Sequence, residues 1–198
     1  MASFSLEEPL EQLFDRIASD EPGPAGGSVA ALAVAMAAGL VAMAARLARE
    51  WPQASEVVER AEMLRSRVAT LAVADAEAYA NVLEALRLPR GSAAREATVA
   101  EALSRAADVP LAIAEAASEV ATLAALVAQA GSAHLRGDAV VAAEIAEAGA
   151  RGAAELVVIN LGNRDEARVR RAKELAAKTR EAARLGAGAP RSRAAPPA

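Results

Sequence analysis

The sequence contains no cysteine and only one histidine, His134. Without cysteine the chain can form neither a disulfide nor a cysteine-ligated zinc site, and one histidine excludes a histidine-rich metal centre. A single histidine also argues against a Ser-His-Asp hydrolase and against a di-metal carboxylate bundle, because the latter needs Glu-x-x-His pairs. We therefore predict that the protein binds no metal. His134 itself is more typical of a loop residue than of a ligand.

Aromatic residues are almost as scarce, with one Trp, one Tyr and two Phe among 198 residues, although 54% of the chain is hydrophobic. The apolar residues are mainly Ala, Leu and Val, and they show little of the alternation that β-strands require. This composition predicts an all-α protein. The length suits one domain with a sizeable core.

The chain also lacks an excess of basic charge and an export signal. Its formal net charge of −4 gives no general attraction to nucleic acid. The segment before the first long apolar run is acidic, whereas a signal peptide begins with a basic region. That run has the length of a membrane span, but more than half of it is Ala or Gly. We therefore expect a buried core helix rather than a membrane span, in a cytoplasmic protein.

The core helix follows the loop Pro22-Gly-Pro-Ala-Gly-Gly-Ser28. Ser28 is a suitable N-cap, and the helix is expected to continue to about Glu50. Gly26 and Gly27 allow the backbone to approach a ligand, and the free N–H groups of the first turn attract anions and oxygen acceptors. The alternative is an ordinary capped helix start.

A third helix carries an apolar seam in which one member is ionisable. Steps of four and three residues join Val57, Ala61, Leu64, Val68, Leu71, Asp75, Ala78, Val82 and Ala85. Burial of Asp75 in this seam would raise the pKa of its carboxyl group. Three interpretations remain open: Asp75 fixes helix register, reaches water at the seam's edge, or acts as a general acid/base. Tyr79, one turn further on, can share the site.

The remaining segments also have helical patterns. Residues Leu6 to Ser19 form a short amphipathic helix, and a fourth helix runs from about Ala93 to Ala130. Pro110 is expected to kink this fourth helix and to leave the carbonyl of Ala106 without its usual partner. Arg164 to Leu185 is predicted to be a solvated outer helix.

A fifth helix begins near Asp138 and ends at Gly162. Its interior face is predicted to consist of Val141, Ile145, Ala148, Gly152, Leu156 and Ile159. Gly149 and Gly152 suggest close contact with a neighbouring helix.

Together the helices predict an antiparallel up-and-down bundle with long helices. Residues 1–185 are expected to form a single domain, followed by a disordered tail at 186–198. The long third and fourth helices expose more apolar length than two shorter helices can cover, so we also predict a homodimer.

The order of these motifs resembles that of a known family. The stretch from Ser5 to Leu32, which contains Pro-Gly-Pro-Ala-Gly-Gly-Ser, is similar to the opening of the formiminotetrahydrofolate cyclodeaminase/methenyltetrahydrofolate cyclohydrolase family. The similarity continues through Asp75-Ala-Glu-Ala-Tyr79, Ala107-Asp-Val-Pro-Leu111, Gly137-Asp-Ala-Val140 and Val158-Ile-Asn-Leu161. It covers most of the chain, from about Leu6 to Leu161.

The resemblance implies an all-helical, dimer-forming enzyme that acts on one-carbon adducts of tetrahydrofolate without a metal or a further cofactor. It implies either cyclisation of 5-formiminotetrahydrofolate with loss of ammonia or hydrolysis of 5,10-methenyltetrahydrofolate to 10-formyltetrahydrofolate. By the same resemblance, Asp75 is the catalytic acid/base. Substrate-binding residues are expected to be Gly26, Gly27, Ser28, Tyr79, His134 and Asp138.

The sequence departs from the family pattern at five positions, which makes the polar lining of the site thinner. They are Ala25, Ser104, Ser132, His134 and Gly137. These departures support an alternative, a non-catalytic helical dimer that binds folate or a protein partner. Asp75 in its apolar seam favours the enzyme, because an inert scaffold would gain stability from an apolar residue there.

Overall fold

The structure is a computed structural model that describes residues 4–20, 23–130 and 134–188. Within these ranges the chain forms seven α-helices and no strand, which confirms the predicted all-α class. The helices are α1 Leu10–Ala18, α2 Gly26–Leu47, α3 Ala54–Arg87, α4 Ala93–Ala106, α5 Asp108–Ala130, α6 Arg136–Leu161 and α7 Glu166–Ala187.

Helices α2 and α3 pack side by side in opposite directions. The Ser28 hydroxyl, near the start of α2, donates a hydrogen bond to the carbonyl of Ala72, beyond the middle of α3. Arg46, near the end of α2, pairs instead with Glu62 in the first third of α3. The two contacts together define an antiparallel pair.

Helix α5 is antiparallel to α3, because Arg60 pairs with Glu119 whereas Arg67 pairs with Glu115. Helix α6 runs antiparallel to α5, because Asn160 at the end of α6 donates a hydrogen bond to the Ala106 carbonyl, just before α5 begins. Helix α7 runs antiparallel to α6, because Arg180 pairs with Glu147 and Arg136 donates to the carbonyl of Ala187. The long helices therefore alternate in direction, as the predicted up-and-down bundle requires. Helix α5 contacts α2, α3, α6 and α7, so it forms the centre of the bundle.

Several predicted helix boundaries differ in the structure, among them the end of α2, which is at Leu47 rather than near Glu50. Helix α1 begins at Leu10 rather than Leu6, directly after Pro9. Helix α2 begins at Gly26, with Ala25 as its N-cap residue, so Ser28 is inside the first turn and does not cap the helix. The N-cap prediction was wrong because the Ser28 side chain turns towards α3.

The predicted disturbance at Pro110 is a complete break rather than a kink. The fourth helix divides at Ala107 into α4 and α5, and Pro110 lies in the first turn of α5, where proline is tolerated. The amide of Asn160, at the end of α6, donates a hydrogen bond of 3.2 Å to the carbonyl of Ala106. Asn160 therefore satisfies the carbonyl that Pro110 leaves without a helical partner.

The predicted interior face of α6 was wrong. Val141, Ala148, Gly152 and Ile159 are exposed in the single chain, and the interior face is built instead from small residues. The buried members are mainly alanines: Ala139, Ala142, Ala143, Ala146, Gly149, Ala150, Ala153, Ala154, Val157 and Leu161. Alanines allow α2 and α5 to approach closely, so large side chains on α6 would not fit between them.

Gly149 and Gly152 provide a matched pair of substitutions. A Cβ atom at Gly149 would lie 2.5 Å from Cγ2 of Val34, whereas no atom lies within 4 Å of a Cβ at Gly152. We expect Gly149→Ala to destabilise the fold by about 1–3 kcal/mol, because Val34 is fully buried and has no room to move. Gly152→Ala is expected to be neutral or stabilising by up to about 1 kcal/mol. Urea unfolding of both variants measures the difference, and equal stabilities would contradict it.

Two stretches are long and apolar enough to cross a membrane by length and composition alone, namely Gly26–Leu47 and Ala93–Ala130. Half of the most apolar window of the first and 61% of that of the second are buried inside the fold. This is weak evidence for membrane spans, because the core helix of a bundle meets the same criterion.

Candidate active site

Asp75 lies where the first turn of α2 meets α3. Gly27 is buried directly beneath its carboxyl group, and a Cβ atom at Gly27 would lie 2.0 Å from Oδ1 and 2.6 Å from Oδ2. Only glycine fits under this carboxyl group. The sequence predicted that Gly27 permits a close approach, and in the described chain the group that approaches is Asp75.

Ser28 connects Asp75 to the backbone of α3. Its fully buried hydroxyl lies 2.8 Å from the carbonyl oxygen of Ala72 and 3.1 Å from Oδ2 of Asp75. A hydroxyl carries one proton, so it donates to one of these oxygens at a time. When Ser28 donates to Ala72, a protonated Asp75 can donate to Ser28 Oγ. When Asp75 is ionised, the Ser28 hydroxyl can turn towards the carboxylate.

Burial raises the pKa of the Asp75 carboxyl above its ordinary value. Hydrogen bonds from the hydroxyl and the backbone N–H of Ser28 act in the opposite direction, since they stabilise the carboxylate. The N-terminus of α2 also carries partial positive charge, which favours the ionised form. Asp75 is only partly buried. The site thus combines a raised pKa with access for water or a substrate, as acid/base catalysis requires.

Gly26 and Tyr79 lie beside this carboxyl group. Gly26 is exposed and a Cβ atom there would have no atom within 4 Å, so the backbone at the start of α2 is open to a ligand. Tyr79 is 42% exposed and lies one turn from Asp75 on the same side of α3. The structure therefore brings together Asp75, Gly27 and Ser28, and Gly26 and Tyr79 lie next to them along α2 and α3.

His134 and Asp138 lie at the other end of the bundle. His134 is exposed in the turn before α6, and Asp138 is in the first turn of that helix. Gly149 of α6 packs against Val34 of α2. Because α6 runs opposite to α2, Asp138 is eleven residues, or about 16 Å, further from the Asp75 end than this contact. One chain alone does not bring these two residues to Asp75.

A groove of about 700 Å³ lies elsewhere, between the first half of α3 and the second half of α5. Trp51, Val57 and Leu123 line it together with the ion pair of Arg60 and Glu119. None of the predicted site residues contributes to it. Val57 is eighteen residues from Asp75 along α3, or about 27 Å. Its size does not make it the active site, because the raised pKa and the buried hydrogen bonds are at Asp75.

Arg168 is an organising residue that the sequence analysis missed. Its guanidinium donates hydrogen bonds to Asp165, Asp108 and both the carbonyl and the hydroxyl of Ser104. It therefore ties the start of α7 to the junction of α4 and α5. The feature of the sequence that could have pointed to this region is Asp165, which caps α7: its side chain accepts a hydrogen bond from the backbone N–H of Arg168.

Of the five departures from the family pattern, Ser132 lies outside the described residues. Ser104 accepts a hydrogen bond from Arg168, and Ala25 is the N-cap residue of α2. Gly137 is exposed beside His134 at the far end of the bundle. His134 and Gly137 both lie near the N-terminal end of α6. These two departures therefore do not alter the surroundings of Asp75 in the same chain.

Comparison with known proteins shows one consistent family. The formiminotransferase-cyclodeaminase family model matches residues 9–180. A methenyltetrahydrofolate cyclohydrolase of Methylorubrum extorquens is 37% identical over 170 residues, which cover 80% of this chain and 82% of that protein.

A longer protein and a solved structure are also similar to this chain. A formimidoyltransferase-cyclodeaminase of Sus scrofa is 31% identical over 167 residues, or 79% of this chain, but the match spans only 31% of that longer protein. The crystal structure of formiminotetrahydrofolate cyclodeaminase from Thermotoga maritima superimposes with a TM-score of 0.81 at 25% identity. It covers 90% of this chain, and the match includes 93% of that structure.

Proposed function

Because the chain belongs to the formiminotransferase-cyclodeaminase family, we propose that it is an enzyme acting on a one-carbon adduct of tetrahydrofolate. The observation that carries the catalytic assignment is the Asp75 carboxyl group, held over Gly27 with a raised pKa. The 37% identity to a methenyltetrahydrofolate cyclohydrolase favours hydrolysis of 5,10-methenyltetrahydrofolate.

In this reaction water adds to the methenyl carbon, the bond from that carbon to N5 breaks, and 10-formyltetrahydrofolate forms with release of one proton. Ionised Asp75 accepts a proton from the attacking water and then delivers it to N5 as the ring opens. The hydrogen bonds from Ser28 stabilise the carboxylate before the first transfer. A carboxyl group of raised pKa suits both steps, because its protonated and ionised forms are closer in free energy at neutral pH.

Cyclodeamination is the second candidate, supported by the likeness to the Thermotoga maritima cyclodeaminase over nearly its whole length. Here N10 of 5-formiminotetrahydrofolate attacks the formimino carbon and ammonia leaves, giving 5,10-methenyltetrahydrofolate. Asp75 would protonate the departing nitrogen. The same carboxyl group therefore serves either reaction, and the substrate decides between them.

Substrate binding is assigned to the groups around Asp75. The exposed backbone at Gly26 approaches the folate, and Gly27 next to it leaves room for the Asp75 carboxyl group. Ser28 orients the carboxylate, and Tyr79 offers a ring and a hydroxyl at the edge of the site. His134 and Asp138 would join the site from a second copy of the chain. A carboxylate such as Asp138 can accept hydrogen bonds from the amino and ring N–H groups of a pterin.

We further propose that the protein is a cytoplasmic homodimer of a single helical domain that needs no cofactor besides its tetrahydrofolate substrate. The domain includes all of α7, which ends at Ala187, two residues beyond the predicted boundary. Most of the predicted tail, from residue 189, lies outside the described residues.

A spectrophotometric assay tests the proposed function directly. Loss of methenyl absorbance above the buffer rate would identify the cyclohydrolase, and its appearance from 5-formiminotetrahydrofolate would identify the cyclodeaminase. If a folded, pure protein changes neither substrate, the enzyme proposal is wrong and the alternative of a non-catalytic folate or protein binder is favoured.

The pH dependence of activity is expected to follow the Asp75 carboxyl group. Activity that needs the carboxylate rises with pH through the pKa of Asp75, which lies above that of an ordinary aspartate. Ser28→Ala removes a hydrogen bond to the carboxylate, so the pKa should rise further and the acidic limb of kcat should move to higher pH. The control is Ser66→Ala, an exposed serine on the same helix as Asp75. A limb that stays in place or moves to lower pH contradicts the assignment.

A further inference from the structure

The groove between α3 and α5 exists because no described helix covers one side of α5. Helix α5 is a neighbour of both α3 and α7, but α3 and α7 are not neighbours of each other within the described residues. A strip of α5 is therefore open to solvent between them, and Leu126 in this strip is 44% exposed. Met63, on the α3 side, is 54% exposed. We call this hollow the α3/α5 groove.

The α3/α5 groove has apolar walls and an acidic rim. The walls include the apolar side chains of Trp51, Val57, Met63, Leu123, Leu126 and Ala130. The charged residues that line the groove are Glu56, Glu59 and Glu119 against a single cation, Arg60. Glu119 is paired with Arg60, whereas Glu56 and Glu59 form no ion pair within the described residues. Such a surface favours a partner that carries positive charge and apolar bulk.

Residues 189–198, which follow α7 in the chain, have a composition that fits this surface. Their sequence is Ala-Pro-Arg-Ser-Arg-Ala-Ala-Pro-Pro-Ala, with two arginines, three prolines and no acidic residue. Proline-rich segments favour the extended polyproline II helix, and grooves lined by aromatic side chains recognise that shape. Trp51, the single tryptophan of the chain, lines the α3/α5 groove. Arginine is also the residue best suited to pair with its free carboxylates.

Helix α1 of a second copy is a poorer match, although its apolar side is exposed. Leu10 and Phe14 are more than half exposed, and both could fill an apolar groove. However, α1 also carries Glu11 and Asp15, which would meet the acidic rim. Like charges that face each other across a contact weaken it. The charge of the rim therefore favours the arginine-containing segment.

That segment begins close to the groove. A Cβ atom at Gly186 would lie 3.4 Å from Cα of Ala125 and 3.8 Å from Cβ of Ala128, so the end of α7 lies against the last turns of α5. Since α5 and α7 are both antiparallel to α6, they run in the same direction and end at the same end of the bundle. Ala130, the last residue of α5, lines the groove.

The segment is also long enough to reach the whole groove. Ten residues in the polyproline II conformation span about 31 Å. The groove is roughly 16 Å long, measured along α5 from Glu119 to Ala130. About half of the segment is thus sufficient to pass around α5, and the other half can follow the groove.

We propose that residues 189–198 bind in the α3/α5 groove of their own chain. Arg191 and Arg193 pair with the carboxylates of Glu56 and Glu59, and the prolines pack on the apolar walls beside Trp51. Because the segment is tethered to α7, its effective concentration at the groove is high, and weak contacts are enough to keep it bound. The inference is independent of the proposed function, since the groove is far from Asp75.

Paramagnetic labelling tests this contact in the full chain. The natural chain has no cysteine, so a nitroxide attached at Ser192→Cys is unique. The methyl signal of isotope-labelled Met63 should be strongly broadened, because Met63 lines the groove. Met43 is the matched reporter: it lies outside the groove but at a similar level of the bundle, since Arg46 in the next turn of α2 pairs with Glu62. Equal broadening of both signals, or of neither, would overturn the proposal.

Reversal of charge tests what holds the segment. Arg191→Glu with Arg193→Glu should abolish the selective broadening of Met63. Adding Glu56→Lys with Glu59→Lys should restore it, because opposite charges face each other again. Both glutamates are exposed, so these substitutions should not disturb the fold. Broadening that survives the first pair of substitutions, or that the second pair does not restore, would contradict the charge pairing.

The control for charge is Arg171→Glu with Lys178→Glu, two exposed residues of α7 that change the net charge of the chain equally. This variant should keep the broadening of Met63. A mixture of spin-labelled chains with isotope-labelled wild-type chains, after exchange of subunits, identifies the chain that supplies the segment. We expect no broadening of Met63 in the mixture. Broadening there would show that the segment of a second copy occupies the groove and would overturn the proposal.

Discussion

Asp75→Asn is expected to lower kcat for the tetrahydrofolate substrate by about 10²-fold to 10⁴-fold, the usual contribution of a positioned acid/base. The amide has nearly the shape of the carboxyl group, so it fits over Gly27 and can still meet Ser28. It cannot exchange a proton with the substrate. KM should change little, since the variant keeps the shape of the site.

The same substitution is expected to preserve or increase stability at neutral pH. Burial raises the pKa of Asp75 in the folded state above its unfolded value. For such a group the folded state binds more protons, so its favourable contribution is present below the unfolded pKa and is lost as the pH rises through the folded pKa. Asparagine carries no charge, so it removes the cost of a buried carboxylate at pH 7.

Thermal unfolding at pH 4 and at pH 7, alongside steady-state kinetics, separates the two effects. Glu77→Gln is the matched control, because Glu77 is an exposed carboxylate two residues further along α3. It should change neither kcat nor the pH dependence of stability. An active Asp75→Asn enzyme, or one whose activity falls only because it unfolds, would refute the catalytic role.

The position of Asp75 could be predicted from sequence because a heptad seam repeats over many turns. Val57, Leu64, Val68 and Val82 are buried as the seam requires, and one carboxyl group interrupts them. A disturbance at Pro110 was also predicted, since proline lacks the N–H that a helix interior needs. The sequence predicted a kink, however, and the helix breaks completely. The hydrogen bond from the Asn160 amide to the Ala106 carbonyl depends on how distant segments pack, so it was not predicted.

The inner face of α6 was mispredicted because, in an alanine-rich bundle, the size of an apolar side chain is a poor guide to whether it is buried. Periodicity alone assigns the larger residues to the interior, but closely packed helices bury Ala142, Ala146 and Ala150 and leave Val141 and Ile159 outside. The error is informative in itself. Large apolar residues at regular helical spacing predict a buried face. Where the chain itself does not bury that face, we expect a second copy of the chain to cover it.

Likewise, the sequence placed Ser28 at a helix start but could not show that its hydroxyl serves α3. An N-cap serine and a serine two residues inside the helix have the same local sequence context. Which one forms depends on whether a tertiary acceptor is within reach. Here the Ala72 carbonyl and Asp75 provide it, so capping is replaced by a contact between helices.

Gly27→Ala should be nearly as damaging to activity as removal of the carboxyl group, with a loss of kcat of about 10²-fold or more. The new methyl group would overlap Asp75 Oδ1 at 2.0 Å, which forces the carboxyl group away from Ser28 and from the position that the substrate meets. Overpacking of this kind costs about 1–3 kcal/mol, partly offset by the better helix propensity of alanine. Stability should therefore fall modestly while activity falls steeply.

Gly26→Ala is the internal control for this prediction, since it adds the same methyl group one residue earlier, where no atom lies within 4 Å. It should preserve the stability of the fold, and any loss of activity should appear in KM, because Gly26 approaches the ligand and not Asp75. A Gly27→Ala, Asp75→Ala double variant should recover the stability lost by Gly27→Ala alone, because the overlapping group is gone. Equal kcat values for Gly26→Ala and Gly27→Ala, or no recovery in the double variant, would show that the carboxyl group does not depend on the space above Gly27.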